Sequence, residues 1–407
     1  MNWPHRVVVT GCGVVSPVGH DTRTYWAALK EGTVGIGQPT AVAPELLLKE
    51  VVAEVKNFDP LEHFEERALQ ALDRVSQFAV VAAREAVAES GIDFSVDQLG
   101  DRTASIVGTG IGGASTLDES YKRLYRENAS RVYPLTVPKL MPNAPASQVS
   151  MHVGLRGPSF GVVSACSSAT HAIGLAYQMV RAGIADAAVT GGSEACINLG
   201  VLKGWEALRV QATDTCRPFS KDRRGLVLGE GAGIVVLETL DGARARGATI
   251  LGEIIGGGMS ADALDLTNPD VDCMTLAINR CLADGQLTTE DIDYINAHGT
   301  GTLANDMTET KALKAAFGAE AAKIPASSTK SMVGHALGAA GGLEFIAMLL
   351  AIRDNVAPPT MGYLGPDPAC DLDYVPNEAR PMKIDVAMSN SFAFGGLNAV
   401  LAARRLG

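Results

Sequence analysis

One cysteine lies where nucleophilic chemistry is favoured. Cys166 follows an apolar run predicted as a strand over 162–165 and precedes a small-residue helix predicted over 167–182. A thiol at a helix start faces free backbone N–H groups and the positive end of the helix dipole, and both favour the thiolate. Position alone leaves two interpretations open: a nucleophile, or the buried and inert thiol that most lone cysteines are.

Two of the seven histidines have a related setting. His298 ends a strand-like run and precedes Gly299, and His335 follows Gly334 in a glycine-rich segment. Glycine lets the backbone approach a ligand closely, and such segments commonly carry function. Together with Cys166, the two histidines indicate a Cys/His/His site.

This combination suits the chemistry of thioesters. A thiolate can store an acyl group as a thioester and so split a difficult condensation into two easier steps. Two neutral imidazoles can donate hydrogen bonds to a thioester oxygen and stabilise the enolate left when a malonyl-type thioester loses carbon dioxide. The enolate then attacks the stored acyl group, and neither a metal nor an organic cofactor is needed. A Cys/His protease is the competing arrangement, but it would not require the second histidine.

Alternating strands and helices must position these residues. Predicted strands over 103–108 and 187–190 lie among predicted helices over 73–90 and 343–352. This alternation is typical of an α/β fold with mixed or parallel sheets and helices on their faces. Asp306 and Glu309 fit a capping box at the start of a helix predicted over 307–317.

The two halves of the chain resemble each other. Gly231-Ala232-Gly233 and Gly395-Gly396-Leu397 each precede an apolar strand, and the serine-rich turns over 164–168 and 327–331 each lead into a small-residue helix. We therefore predict a diverged duplication. Residues 1–250 form the half that carries the cysteine, and residues 251–407 form the half that carries both histidines.

Composition excludes several classes of protein. The 407 residues carry a net charge of −11, which disfavours binding to nucleic acid or to anionic membranes. The seven cysteines are odd in number and include no Cys-x-x-Cys pair, so a disulfide framework and a structural zinc site are not expected. Reduced thiols and the lack of a long apolar run predict a cytoplasmic protein without a membrane span.

Several motifs, taken in order, resemble one family. They are Thr10-Gly11-Cys12-Gly13-Val14-Val15-Ser16-Pro17-Val18-Gly19, Ser164-Ala165-Cys166-Ser167-Ser168, Gly191-Gly192-Ser193-Glu194-Ala195, Arg217-Pro218-Phe219, Gly229-Glu230-Gly231-Ala232-Gly233, His298-Gly299-Thr300-Gly301-Thr302, Lys330-Ser331, Gly334-His335 and Asn390-Ser391-Phe392-Ala393-Phe394-Gly395-Gly396. Over nearly its whole length, the chain resembles the β-ketoacyl-acyl-carrier-protein synthases of the thiolase superfamily, and among them the elongating synthase II type. The resemblance implies a thiolase-like duplicated α/β fold, layered αβαβα with two mixed sheets.

The resemblance also assigns roles to residues. It implies a catalytic set of Cys166, His298 and His335, with Lys330 and Glu344 as a supporting pair. It implies that Thr300 and Thr302 hold the phosphopantetheine arm, that Phe394 is a gate whose N–H forms an oxyanion hole with that of Cys166, that Ile111 gates the acyl pocket, and that Asp306 belongs to the loop behind the second histidine.

The implied reaction is a decarboxylative Claisen condensation of an acyl group on Cys166 with malonyl-acyl-carrier protein. The implied partners are acyl carrier protein, acyl and malonyl thioesters and a second copy of the chain, and the phosphopantetheine arrives on the carrier. An alternative is the active subunit of a heterodimer that requires a chain-length-factor partner. Thiolases and starter-unit synthases are disfavoured, because the former use a second cysteine and the latter a Cys-His-Asn set.

Two departures from the family's pattern concern the physiological role. Ala393 stands where the family's gating loop usually has glycine, and Gln70-Ala71-Leu72-Asp73 stands where housekeeping enzymes carry a basic carrier-docking patch. Basic residues occur instead at Lys122, Arg123, Arg126, Arg131 and Lys139. Each one alone is typical of a solvated helix surface, but together they could form the surface on which an acidic carrier protein docks. These departures favour a specialised polyketide, polyene or signal-lipid pathway over bulk fatty acid synthesis.

Overall fold

Twelve strands build the sheets in the part of the protein that the structure describes. A computed structural model describes residues 3–406. The strands are β1 (Val7–Val15), β2 (Thr103–Gly108), β3 (Ser159–Val162), β4 (Ala187–Glu194), β5 (Gly231–Thr239), β6 (Gly252–Ala261), β7 (Tyr294–Asn296), β8 (Ala326–Ser327), β9 (Val356–Ala357), β10 (Arg380–Pro381), β11 (Val386–Ala393) and β12 (Leu397–Arg404).

The strand order confirms the predicted duplication. The main sheet runs β3-β2-β4-β5-β1-β6-β12-β11-β7-β8. Each half contributes five strands to this sheet, because β9 and β10 form a separate pair. If the five strands are numbered in chain order, their order from the outer edge of the sheet to its middle is third, second, fourth, fifth, first in both halves. The pairing directions also agree, because β2 is parallel to both of its neighbours, as β7 is, while β5 and β12 are antiparallel to theirs.

A short seam joins the two mixed sheets into one hydrogen-bonded sheet of ten strands. β1 pairs with β6 only from Val7 to Val9. Beyond the seam, two carboxylates cover the open edge of β1: Glu89 accepts the Cys12 N–H at 2.7 Å and Glu85 accepts the Val14 N–H at 2.8 Å. These bonds satisfy donors that the other sheet does not reach.

Thirteen α-helices within the described residues surround the strands. They are α1 (Thr22–Glu31), α2 (Glu66–Leu69), α3 (Arg74–Ser90), α4 (Ala114–Tyr125), α5 (Thr136–Leu140), α6 (Ala144–Val153), α7 (Ser168–Arg181), α8 (Leu199–Leu208), α9 (Leu240–Ala245), α10 (Val271–Gly285), α11 (Leu303–Phe317), α12 (Lys330–Val333) and α13 (Ala340–Asp354). No helix within residues 3–406 is long and apolar enough to cross a bilayer.

The helices form the three α layers of an αβαβα arrangement. α3 and α6 cover the outer face of the first sheet, α10 covers the outer face of the second with α11 packed beside it, and α7 and α13 pack against each other between the sheets. Thirteen of the fifteen residues of α13 are buried. Close approach in this middle layer requires small residues, because a Cβ added at Gly341 would lie only 2.0 Å from Thr170 Oγ1. The central layer brings the starts of α7 and α13 together.

Candidate active site

Cys166 lies in a tight turn rather than directly at a strand end. β3 ends at Val162, and a 3-10 turn over Ala165–Ser167 carries the cysteine into α7. Ala165 adopts φ +50°, a left-handed conformation that is costly for a residue with a Cβ. Ser167 Oγ stabilises this turn by donating to the carbonyl oxygens of Ser391 (3.0 Å) and Leu397 (2.7 Å) in the second half.

The cysteine and both histidines line one cavity of about 430 Å³. Phe394, Thr300 and Thr302 lie in its wall as well. The remaining wall is largely apolar, with Trp205, Leu208, Val210, Leu226, Leu266 and Phe392 among its members. The structure therefore brings six of the residues implied by the resemblance to one place, although they come from positions more than two hundred residues apart.

The two histidine rings stand nearly perpendicular. The ring centroids of His298 and His335 lie 5.5 Å apart with an interplanar angle of 84°, and both residues are 1% exposed. The main chain of His335 is anchored on both sides, because its N–H donates to the Val227 carbonyl (2.7 Å) and its carbonyl accepts from the Gly229 N–H (2.9 Å).

Lys330 selects the tautomer of His298. Its ammonium donates to the His298 carbonyl oxygen at 2.6 Å and lies 3.3 Å from Nδ1 of the same residue, while forming an ion pair with Glu344. An ammonium group has no acceptor, so Nδ1 must accept. The proton of the neutral imidazole is therefore on Nε2, which can donate it to a ligand.

Both imidazoles are neutral at physiological pH. Burial lowers the pKa of His298 well below its usual value, and the positive charges of Lys330 and a protonated His335 act in the same direction. Burial and the charge of Lys330 likewise lower the pKa of His335 well below its usual value. A neutral imidazole keeps one N–H group, which can donate a hydrogen bond to a developing enolate oxygen.

The thiol of Cys166 does not behave as the helix-start argument predicts. Burial raises its pKa to about 12, although the Lys330 charge and a hydrogen bond from the Phe394 backbone N–H oppose the effect. Desolvation disfavours the charged thiolate more strongly than these groups favour it. Cys166 is therefore a neutral thiol at physiological pH.

The loop after His298 carries the two threonines. Thr300 Oγ1 and Thr302 Oγ1 lie 2.9 Å apart at the cavity wall, and Thr302 caps α11 by accepting the Asn305 N–H. Asp306 is fully buried beneath this loop, so it lies behind His298 and not behind the second histidine as expected, and it does not line the cavity. Its carboxylate accepts the N–H groups of Phe219 (2.7 Å) and Gly301 (3.2 Å), and burial raises its pKa to about 6.

The predicted capping box is wrong, because Thr302 is the cap and Glu309 faces the interior. Glu309 accepts the N–H groups of His298 and Gly299, each at 2.8 Å. It thus fixes the main chain at the first histidine. Its spacing from Asp306 resembled a helix cap, and no local pattern shows that the carboxylate turns back toward the preceding strand.

Phe394 belongs to a loop with two glycines in left-handed conformations. Gly395 (φ +80°) and Gly396 (φ +67°) follow it, and Ala393 before it ends β11 without needing positive φ. The Phe394 ring stacks on Trp205, with centroids 5.8 Å apart at 18°. Ala393, which stands where the family usually has glycine, is therefore a regular strand residue, and the glycines that follow Phe394 provide the loop's conformational freedom.

Ile111 lies in the same apolar cluster as Cys166 but does not line the cavity. Its N–H donates to Glu194 at 3.3 Å. Glu194 belongs to the Gly-Gly-Ser-Glu motif, and Trp205 lies on α8; the sequence assigned neither residue a role. Within residues 3–406, no group of three or more His, Cys, Asp or Glu side chains is placed to hold a metal ion.

Comparison with known proteins identifies the family. Residues 5–243 match the β-ketoacyl synthase N-terminal domain, and residues 251–364 match the β-ketoacyl synthase C-terminal domain. The chain is 50% identical over 401 residues to nodulation protein E of Rhizobium sp. (strain N33), an alignment that covers 98% of this chain and 99% of that protein. It is 42% identical over 412 residues to 3-oxoacyl-[acyl-carrier-protein] synthase 2 of Staphylococcus aureus (strain N315), covering 100% of this chain and 99% of that protein.

Solved structures of ketosynthases are also similar to this chain. The ishigamide ketosynthase/chain length factor superposes with a TM-score of 0.94 at 35% identity, covering 99% of this chain and 100% of that one. A type II polyketide ketosynthase in complex with its acyl-carrier protein (AntDE:AntF) gives a TM-score of 0.90 at 30% identity with the same coverage. The chain therefore belongs to the β-ketoacyl synthase family and is an acyltransferase that condenses an acyl thioester with malonyl-acyl-carrier protein in fatty acid or polyketide synthesis.

Proposed function

We propose that Cys166 holds the acyl chain and that His298 and His335 stabilise the enolate made from the malonyl thioester. The observation that carries this assignment is the convergence of the three side chains on one cavity. The contact of Lys330 with Nδ1 of His298 supports it, because it leaves Nε2–H as a donor.

In the first step, Cys166 Sγ attacks the carbonyl carbon of an acyl-carrier thioester. The new bond joins Sγ to the acyl carbon, the bond to the phosphopantetheine sulfur breaks, and the thiol proton passes to that leaving sulfur. The backbone N–H of Phe394 already faces Sγ, and we assign it to the oxyanion that forms here together with the N–H of Cys166.

In the second step, malonyl-carrier protein loses carbon dioxide. The electron pair of the broken C–C bond forms an enolate whose oxygen accepts from His298 and His335. The enolate carbon attacks the thioester on Cys166, the C–S bond breaks, and the departing thiolate takes up one proton from solvent. A raised thiol pKa assists this last event, because it favours return of the proton.

Thr300 and Thr302 lie at the cavity wall where the phosphopantetheine arm must enter, so we assign them to binding the arm. The arm comes with the carrier, and the mechanism uses no resident cofactor. Two basic residues, Arg123 on α4 and Lys139 on α5, line one cleft of about 240 Å³, which supports docking of an acidic carrier on this face.

We place the enzyme in a specialised chain-elongation pathway. Higher identity to nodulation protein E than to 3-oxoacyl-[acyl-carrier-protein] synthase 2 favours this assignment, as does the loss of the basic stretch at Gln70. We also propose a cytoplasmic location, which seven free cysteines support.

A second candidate is an active subunit that works only with a chain-length-factor partner. The resemblance to the ishigamide ketosynthase/chain length factor favours it. Condensation activity of the purified chain alone decides between the two candidates, because activity without a partner excludes the requirement for a chain-length factor.

Mass spectrometry tests the mechanism. After incubation with acyl-loaded carrier protein, we expect one acyl adduct on Cys166, which is absent in Cys166→Ala. Decarboxylation of malonyl-carrier protein should fall sharply in His298→Ala and in His335→Ala. An adduct on another residue, or undiminished decarboxylation in both histidine variants, contradicts the assigned roles.

A further inference from the structure

A buried carboxylate lies between the loop of Ile111 and the loop of His335. Glu194 is the last residue of β4 and is 0% exposed. Its Oε2 accepts the N–H groups of Gly110 at 2.7 Å and of Gly338 at 2.9 Å. One side chain therefore holds the backbone of two segments that lie more than two hundred residues apart in sequence.

The other carboxylate oxygen binds the loop of Ile111 alone. Oε1 accepts from Thr109 Oγ1 at 3.1 Å and from the Ile111 N–H at 3.3 Å. Thr109 Oγ1 in turn accepts the Gly112 N–H at 3.1 Å. The N–H groups at 110, 111 and 112 thus depend on Glu194, directly or through one hydroxyl.

The two segments also touch each other without side chains between them. A Cβ added at Gly338 would lie 2.1 Å from the Gly110 nitrogen, and one added at Gly110 would lie 2.8 Å from Glu194 Oε2. Leu337, next to Gly338, adopts φ +42°, so the turn that follows His335 is held in a strained conformation. A displacement of either segment is therefore passed to the other.

No Lys, Arg or His within residues 3–406 forms an ion pair with Glu194. A buried carboxylate without a cation is costly, and removing it would spare that cost. Four donors nevertheless point at the carboxylate of Glu194, which indicates that its role is to accept hydrogen bonds from these two segments.

We propose that Glu194 is a positioning residue that couples the loop of Ile111, which packs in the apolar cluster around Cys166, to the turn after His335, and so sets which acyl chain lengths are transferred to Cys166. The proposal rests on the assignment of Cys166 as the acyl carrier. It gives Glu194 no contact with the reacting atoms.

The protonation state of Glu194 provides a readout that a purely structural residue would not give. Burial raises its pKa to about 7, and the N–H groups of Gly110, Gly338 and Ile111 oppose this. The titratable groups that sense its charge are the thiols of Cys166 and Cys196, whose pKa values burial raises and the Glu194 charge raises further. Both thiols stay protonated over the range in which Glu194 titrates.

The experiment uses the full chain and acyl-carrier proteins loaded with a short or a long acyl group. The initial rate of adduct formation on Cys166 is measured by mass spectrometry at several values between about pH 6 and pH 8, which bracket the Glu194 transition. We expect the long-to-short ratio of rates to change by about tenfold across this range, the effect of losing one charge-assisted hydrogen bond.

Glu194→Gln is the matched variant. Its amide oxygen can still serve Gly110 and Gly338 and its NH2 can donate to Thr109 Oγ1, but the Ile111 N–H loses its acceptor. We expect the variant to show, at every pH, the ratio that the natural chain shows near pH 6. Glu238→Gln, which removes another buried carboxylate at Thr10 and Arg246, should keep the pH dependence of the natural chain.

A ratio that is independent of pH in the natural chain overturns the proposal, and this outcome does not depend on whether any variant folds. A pH dependence that persists in Glu194→Gln overturns it as well. Condensation is measured separately with malonyl-carrier protein. Adducts on Cys166 without condensation contradict the proposed function while leaving the chain-length readout intact, and no adduct with any chain contradicts both.

Discussion

The ammonium of Lys330 contacts His298 at two points, its carbonyl oxygen at 2.6 Å and its Nδ1 at 3.3 Å. The first contact fixes the backbone, and the second fixes the tautomer of the ring. Burial is the main cause of the low pKa of both imidazoles, and the charge of Lys330 lowers both pKa values further. Its ion pair with Glu344 keeps the charge from being isolated in the interior.

Replacing Lys330 should impair decarboxylation more than acyl transfer. In the double variant Lys330→Met with Glu344→Gln, no unpaired charge remains, but the pKa of His298 rises and its tautomer is no longer held. We expect malonyl decarboxylation to fall by about a hundredfold, with a much smaller loss in formation of the Cys166 adduct. Lys314→Met, which removes a half-exposed surface pair with Asp371, is the control.

Equal loss of both partial reactions in the double variant would contradict this division of labour, because it would show that Lys330 serves Cys166 as much as the histidines.

The lowered pKa of His335 predicts a specific dependence of stability on pH. The unfolded chain protonates this histidine near pH 6.5, before the folded chain does, so its contribution to the free energy of unfolding falls as pH drops below that value. The difference in unfolding free energy between the natural chain and His335→Asn should therefore shrink by about 1 kcal/mol from pH 7.5 to pH 5.5.

Urea titrations at the two pH values measure this difference. A difference that grows toward pH 5.5 would mean that the folded protein holds His335 protonated, and the neutral donor assigned to it would be excluded.

The stack between Trp205 and Phe394 should matter for acyl transfer. Trp205→Leu removes the ring that holds Phe394, whose N–H faces the thiol of Cys166. We expect the rate of adduct formation to fall by about fivefold, which corresponds to the stabilisation energy of one aromatic pair. The rate of decarboxylation should change little. Trp26→Phe is the matched control, because Trp26 lies away from the cavity and donates a hydrogen bond to Asp354.

Stopped-time mass spectrometry gives the first rate and release of carbon dioxide gives the second. If Trp205→Leu forms the adduct as fast as the natural chain, the stack does not position Phe394.

Reversing charge at the proposed docking cleft should weaken carrier binding alone. The double variant Arg123→Glu and Lys139→Glu places two carboxylates where an acidic carrier would approach. We expect KM for acyl-carrier protein to rise by about tenfold or more at low salt, with kcat unchanged. The same acyl group on a small pantetheine thioester should react equally with both proteins, and a parallel loss with that substrate would place the effect inside the enzyme.

Residues with local signals were predictable from the sequence. His298 and His335 were recognisable because glycine flanks each of them, and the repeated serine-rich turns indicated two equivalent halves, which the strand order confirms. The family resemblance added Lys330, which alone reads as a solvated lysine but is completely buried.

Residues whose function depends on distant contacts were not predictable. Glu309 has the spacing of a helix cap yet turns to the backbone of His298, and Glu194 reaches a partner 144 positions away. The thiol of Cys166 shows the same limit, because a helix start favours the thiolate but the extent of burial, which only the packed structure determines, reverses the outcome.

The shared middle layer has a consequence for how the chain is made. α7 belongs to the first half and covers β2 and β4 of its own sheet, but the inner face of β5 packs mainly against α13, which belongs to the second half. With only three residue pairs across the β1–β6 seam, little else joins the sheets. A ribosome that has released only the first half therefore exposes an apolar surface to the cell, and the nascent chain needs protection from aggregation until α13 has emerged.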